Sequence, residues 1–361
     1  MKMLDNSPVT TSSGLVSSVP EVAPAAWTSG VNFAVDATTS VAVADGVDTG
    51  WTGLGQLDVY RSLQGPNSNH PPASSPTWWK KIGTVYQEFD NAKTYGVNDR
   101  VQIAADRLVY QSSASANVGN APAASPAKWS LVGVTNRWAM FDEKVGTQTQ
   151  APDEIKVSWT VAGRANALAF LNLDAASIRY RQIAPDATVL IDETITLSSA
   201  SGINSLFAYY TNPIIRKTDT AIEGMTFVAG CTIEVTVSNP GKAAKIGALV
   251  VGRFTKIGGT QYGAQLSFVD YSKYSEDSWG NLDLKPGAYR KRLVADVMMD
   301  GGYVDEFQRL MASRRGKFTV FWGADQYSST LIYGFPKLGD TVIAYPNQSI
   351  ASLTLEGLAQ Q

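Results

Sequence analysis

The chain has 361 residues, enough for two or three domains, and 44% apolar with 10% aromatic residues gives material for real cores. Only 17% of residues are charged, against roughly 25% in ordinary soluble domains, so Ser, Thr, Asn, Gln and Gly must supply much of the surface. A net charge of −2 without a long basic tract argues against nucleic-acid binding, a lone cysteine excludes an intrachain disulfide, and no apolar run nears the ~18 residues of a membrane helix.

In chain order, "MKMLDNSPVTTSSGLVSSVP" has no apolar stretch of the secretory-signal kind and reads as an arm ahead of the first unit. A strand-like stretch, "AAWTSGVNFAVDATTSVAV", follows, and then a Gly/Asp-rich insertion that carries Trp51. The chain then repeats itself. Val59–Gly83 aligns with Val109–Gly133 without a gap, and the identical pairs include Tyr60/Tyr110, Ser62/Ser112, Asn67/Asn117, Pro72/Pro122 and Trp79/Trp129. A fixed period of about 50 residues marks an internal duplication.

Each copy has a strand ending in Val-Tyr, a loop of Asn, Gly, Ser and Pro, and a closing Trp-x-x-Ile/Val-Gly. A unit this small has few core positions. One Tyr and one Trp, each burying about 150–250 Å², would fill most of them, so Tyr60, Trp79, Tyr110 and Trp129 read as module scaffold.

Trp78 differs. It neighbours scaffold Trp79, and its partner in the second copy is Lys128, so the module does not need it in order to fold. Three roles stand open: an exposed platform for stacking on a sugar face, a contact to another subunit, or packing under the insertion. Trp51 and Tyr95 are further glycan-binding candidates.

The order Trp or Phe, then Tyr95-x-x-Asn98-Asp99-x-Val101, then Val109-Tyr110-x-Ser112, then Trp129-x-x-Val132-Gly133, resembles the three-stranded β module of chitin-binding-type carbohydrate-binding domains. With the loop "NVGNAPAASPAKW" it is similar to the form found in tailed-phage virion proteins. The match is close over Asp90–Gly133 and looser over Trp27–Gly83, where the insertion departs from the pattern. "VTNRWAMFD" resembles a junction that opens a larger β domain in phage tail proteins, with Trp138 and Phe141 as packing residues.

Beyond Asp142 the pattern is strand after strand. "EIKVSWTV" places Ile155, Val157, Trp159 and Val161 on one face, and "SIRYRQI" and "TIEVTV" alternate likewise. "IGALVVGRF" is a nearly continuous apolar run, expected to be buried on both faces. Gly, Asn, Pro and Asp turns between such runs argue for an antiparallel β-sandwich. One helix is expected in "YVDEFQRLMASRRG", with Asp305 in its first turn, Phe307, Leu310 and Met311 on one face, Arg314 and Arg315 in its last turn, and Gly316 as its stop. "GALVVGRFTKIGGTQYGAQLSFVDYS" and the closing "LIYGFPKLGDTVIAYPNQSIASLTLEGL" also resemble the sandwich part of those phage proteins.

The expectation is an all-β chain: two three-stranded carbohydrate-binding-module-like units (1–88 with the arm and insertion, and 89–135) and a β-sandwich of jelly-roll or galactose-binding type (136–361) with one short helix. Chemistry is scarce. The lone histidine, His70, cannot build a Ser-His-Asp or Cys-His arrangement with its surroundings in sequence, and Cys231 opens an alternating strand as a small apolar residue would. No catalytic residues, metal or cofactor are expected.

The resemblance implies a structural component of a phage tail, in the tail tip, baseplate or fibre-attachment region. Its partners would be other tail proteins and its own copies in three- or six-fold order, with host-surface polysaccharide as a further partner, and no nucleic acid or membrane insertion. A dedicated receptor-binding protein is the alternative, and a polysaccharide depolymerase a more distant one.

Overall fold

The computed structural model describes residues 1–10, 13–43, 55–199, 205–213, 215–276, 278–343 and 347–360. The chain is mostly β: two small three-stranded antiparallel sheets precede one large antiparallel sheet system.

The first small sheet orders Thr38–Ala42, Gln56–Ser62 and Trp79–Tyr86, and the second orders Arg100–Ile103, Leu108–Ser112 and Trp129–Val134. Their registers slip at the same place. Val59 faces Gly83 but Tyr60 faces Lys81, and Val109 faces Gly133 but Tyr110 faces Leu131. Ile82 and Val132 are thus the extra residues of matching β-bulges, and the duplication reaches down to backbone irregularity.

The large sheet is organised by one 25-residue strand, Thr232–Lys256. Its first part pairs with Thr149–Thr160 and Ser177–Ile183, and its second with Ala167–Asp174 and Lys2–Asn6. The register breaks between Ser238 and Ala243. Pro240 has no N–H to give a ladder there, and Gly241 takes a positive φ of 74°. Fully buried Asn239 fills the irregularity: its amide donates to the Ala243 carbonyl at 2.8 Å, and its oxygen accepts from Arg216 at 2.6 Å.

Past the break the strand is buried on both faces, as its continuous apolar run implies. Leu249 and Val251 enter one core, and Ala248, Val250 and Phe254 another. The alternation in "EIKVSWTV" is also realised, with Ile155, Val157, Trp159 and Val161 all buried. A third core lies under Tyr289–Asp300, Leu331–Val342 and Gln348–Gln360, closed by the helix Val304–Ser313 through Phe307.

The N-terminal arm does not belong with the first module, where the expected boundary of 1–88 put it. Lys2–Asn6 inserts into the large sheet between Thr232–Lys256 and Thr319–Trp322, and Val16–Ser17 pairs with Thr149–Thr160. Met3 and Leu4 are fully buried in different cores. The fit is close: a Cβ on Gly252 would fall 1.8 Å from the Asp5 carbonyl oxygen.

The expected helix is present and bears Asp305 and Glu306 in its first turn, but Arg314 is its C-cap and Arg315 lies beyond, so neither stands in the last turn. Arg314 instead reaches Asp5 at 2.7 Å. A second helix, Leu206–Thr211, joins it, capped by Ser205, whose hydroxyl accepts from the Ala208 amide.

Candidate functional site

The two modules are built by the same contacts. In each, a buried asparagine in the loop donates to the serine that ends the middle strand: Asn67 to Ser62 at 2.9 Å, and Asn117 to Ser112 at 3.2 Å. The same amide reaches the carbonyl of residue 78 or 128 at 3.4 Å. The scaffold indole then donates to a loop carbonyl, Trp79 to His70 at 2.7 Å and Trp129 to Asn120 at 2.8 Å. Pro72 and Pro122 are buried in matching 3₁₀ turns. Loops rich in Asn, Ser and Pro thus become rigid, because their polar groups are satisfied internally.

Trp79, Trp129 and Tyr110 are buried, while Tyr60 is half-buried. Tyr95, expected as a third candidate platform, is core: it is 2% exposed and packs edge-on against Trp129 with ring centroids 5.2 Å apart. Its hydroxyl accepts from the Asp90 amide at 2.8 Å. Phe33 holds the same place in the first module, edge-on to Trp79 at 5.0 Å, and both residues bridge to the loop asparagine. Tyr95 is therefore unavailable for stacking on a sugar. Trp51 lies outside the described residues.

Trp78 is half-buried and stacks face to face on His70, with centroids 3.9 Å apart and planes 11° from parallel. The His70 ring is held in turn by Asn67, whose Oδ1 lies 3.1 Å from its Nδ1. The second module has Asn120 and Lys128 at these positions and no such stack. His70, which sequence reasoning set aside as a loop residue, is thus the partner of Trp78. Its place opposite Asn120 in the aligned copies was the available signal. Gln64 and Asn69 lie in the same loop, exposed, with Gln64 Nε2 donating to the Thr77 carbonyl at 2.8 Å and Asn69 Oδ1 accepting from the Gly30 amide at 2.9 Å. The stack covers one face of each ring, so only an outer face, edged by these amides, is left to meet the C–H face and hydroxyls of a sugar.

Both modules are fastened to the large domain. Lys80 of the first pairs with Asp153 at 2.9 Å, and Arg107 of the second lies 3.8 Å over the Trp138 ring. Trp138 packs on Phe141, and Phe141 on Trp159 in the core. Between the units is a cavity of about 170 Å³ lined by Glu21, Tyr86, Gln102, Thr135 and Pro152, among others. Burial pushes the Glu21 carboxyl above its usual range, although the Thr135 hydroxyl donates to it at 2.7 Å and Arg137 stands 3.6 Å away.

Among the described residues, no group of three or more His, Cys, Asp or Glu side chains is arranged to hold a metal ion. Cys231 is buried. No protein-family model and no curated protein matches the chain.

Proposed function

We propose that the chain is a structural component of a phage tail, in the tail tip, baseplate or fibre-attachment region, whose two small modules contact host-surface glycan or neighbouring tail proteins. It works without catalysis, in a homo-oligomer of three- or six-fold order among other tail proteins. The observation that carries the reading is the pair of modules with one internal architecture, of which only the first adds the Trp78–His70 platform. The scaffold is kept in both copies, and the platform is an addition to it.

Because only the first module carries the platform, repetition comes from oligomerisation, which links one platform per copy at millimolar effective concentration and gives avidity that a single copy lacks. The same platform also supports the second reading, a dedicated receptor-binding protein for host polysaccharide.

The test is binding of the full chain and of Trp78→Ala to an array of bacterial surface polysaccharides and chitin-type oligosaccharides. The expected result is saturable binding that falls about tenfold in the variant, or ~1.4 kcal/mol. Absent binding would assign the modules to contacts with tail proteins instead, and binding unchanged in the variant would place the glycan site away from Trp78.

A further inference from the structure

The two copies of the module differ in what covers them. On the first, the N-terminal arm lies against the strand Trp79–Tyr86. The Val19 carbonyl accepts from Arg137 Nε at 2.8 Å, and the Glu21 carbonyl from Gln102 Nε2 at 2.6 Å. Pro20, held between them, sits so close on Gly83 that a Cβ there would fall 2.7 Å from its Cδ and 2.9 Å from its Cγ. A proline ring is locked to its own backbone and cannot swing aside, so this contact requires glycine at 83. Gly83 is buried, and Lys81 and Ile82 are half-buried.

Gly133 holds the same place in the second module, opposite Val109 as Gly83 is opposite Val59. Among the described residues nothing lies within 4 Å of a Cβ built on it, and its φ is not positive. Neither space nor backbone within this chain therefore demands glycine at 133. A glycine inside a strand weakens it, and such a residue marks a place where another backbone or a ligand comes close.

The positions beside it differ in chemistry. Lys81 pairs with Asp58 at 2.7 Å, and the counterparts of these two residues are Leu131 and Leu108. Lys80 ties the first module to Asp153, and its counterpart is Ser130. Leu131 is 59% and Val132 39% exposed. The second module thus keeps the seat for a proline and borders it with apolar side chains in place of the ion pairs. The seat is continuous with the arm's own contact, because Val109 and Val134 line the cavity that Pro20 and Glu21 also line.

We propose that Leu131–Gly133 is a docking site for a segment of another protein in which an apolar residue precedes a proline. The proline ring rests on Gly133 as Pro20 rests on Gly83, and the apolar residue covers Leu131. A proline segment suits such a seat, since its restricted backbone loses little freedom on binding. This site rests on the reading of the modules as contacts for neighbouring proteins, and it is separate from the Trp78–His70 stack.

The experiment is titration of the ¹⁵N-labelled full chain with the peptide SSVPEVAP, residues 17–24, followed by amide chemical shifts. The peptide is taken to ~5 mM, which half-fills a site of equal Kd. The amides of Leu131, Val132 and Gly133 should shift and approach saturation, and a peptide carrying Pro20→Ala should bind at least about fivefold more weakly. Gly133→Val places its side chain in open space, so the variant should keep its fold and lose the response. A second pair of variants reads the seat without peptide: Gly83→Ala should lower the melting temperature, and Gly133→Ala should not.

No shift at Leu131–Gly133, or shifts confined to Gly83 and its neighbours, would overturn the proposal. So would a response unchanged by Gly133→Val or by the proline-free peptide, or an equal loss of stability in the two alanine variants. Locating the chain in particles tests the tail reading separately, so each can fail without the other.

Discussion

At the scale of single residues, the modules separate neighbours by their roles. Trp79 and Trp129 are buried, and each indole N–H is bound to a loop carbonyl. Replacing either with Ala should cost about 3–5 kcal/mol, read as a lower denaturation midpoint; unchanged stability would show that the ring is not core. Asn117→Ala should cost about 1–3 kcal/mol, because it leaves a buried hydroxyl and carbonyl without their donor.

Glu21 predicts a pH dependence. Its folded pKa is raised above the ordinary 4.5 by burial, so between those values the folded state holds a proton that the unfolded state has released. Stability therefore falls as pH rises through that window. Glu21→Gln should raise the melting temperature relative to wild type at pH 7, and the gain should shrink as pH falls toward 4.5. A gain that grows on acidification would contradict the assignment.

The repeat made Trp79, Trp129 and the odd position of Trp78 legible in the sequence. It did not distinguish Tyr95 from a surface ring, because its counterpart Phe33 lies outside the aligned segment and beyond a gapped insertion.

At the scale of elements, period-two alternation served well where one face of a strand is buried. It failed for Lys2–Asn6. Both Met3 and Leu4 are buried, so no alternation shows, and the partner strands lie some 250 and 320 residues further on. The helix Leu206–Thr211 was equally hidden, since six residues carry too little helical period to register. Lys273–Glu276 and Leu282–Lys285 carry no alternation that the sequence made legible, and they pair only with each other, apart from the large sheet.

The N-terminal strand has a direct consequence for stability. It is the hydrogen-bonded seam between Thr232–Lys256 and Thr319–Trp322. Leu4→Ala should lower stability by about 2–5 kcal/mol, measured by denaturant titration. A loss under 1 kcal/mol would mean that the strand is dispensable. The same seam means that the modules are properly isolated from about residue 20 onward; a cut that keeps residues 1–19 with them would take a central strand from the large sheet.

At the scale of the whole molecule, the parts have different tasks. The large β domain is a frame, and the modules are fastened to it by Lys80–Asp153 and by Arg107 on Trp138. Anchored in this way, the Trp78–His70 stack is held in one orientation on the frame. Composition and pattern were enough to give the all-β class and the duplication, because both are written in local sequence. The ends of the sheet were not legible, since a free edge is defined by which strand fails to arrive beside it.

The most direct test of the proposed tail assignment is immunogold electron microscopy, with an antibody to the modules, on particles purified from lysates of cells that carry the gene for this chain. Gold confined to the distal tail, baseplate or fibre attachment is the predicted result. Particles without label, with the chain recovered only from the unassembled fraction of the lysate, would contradict it.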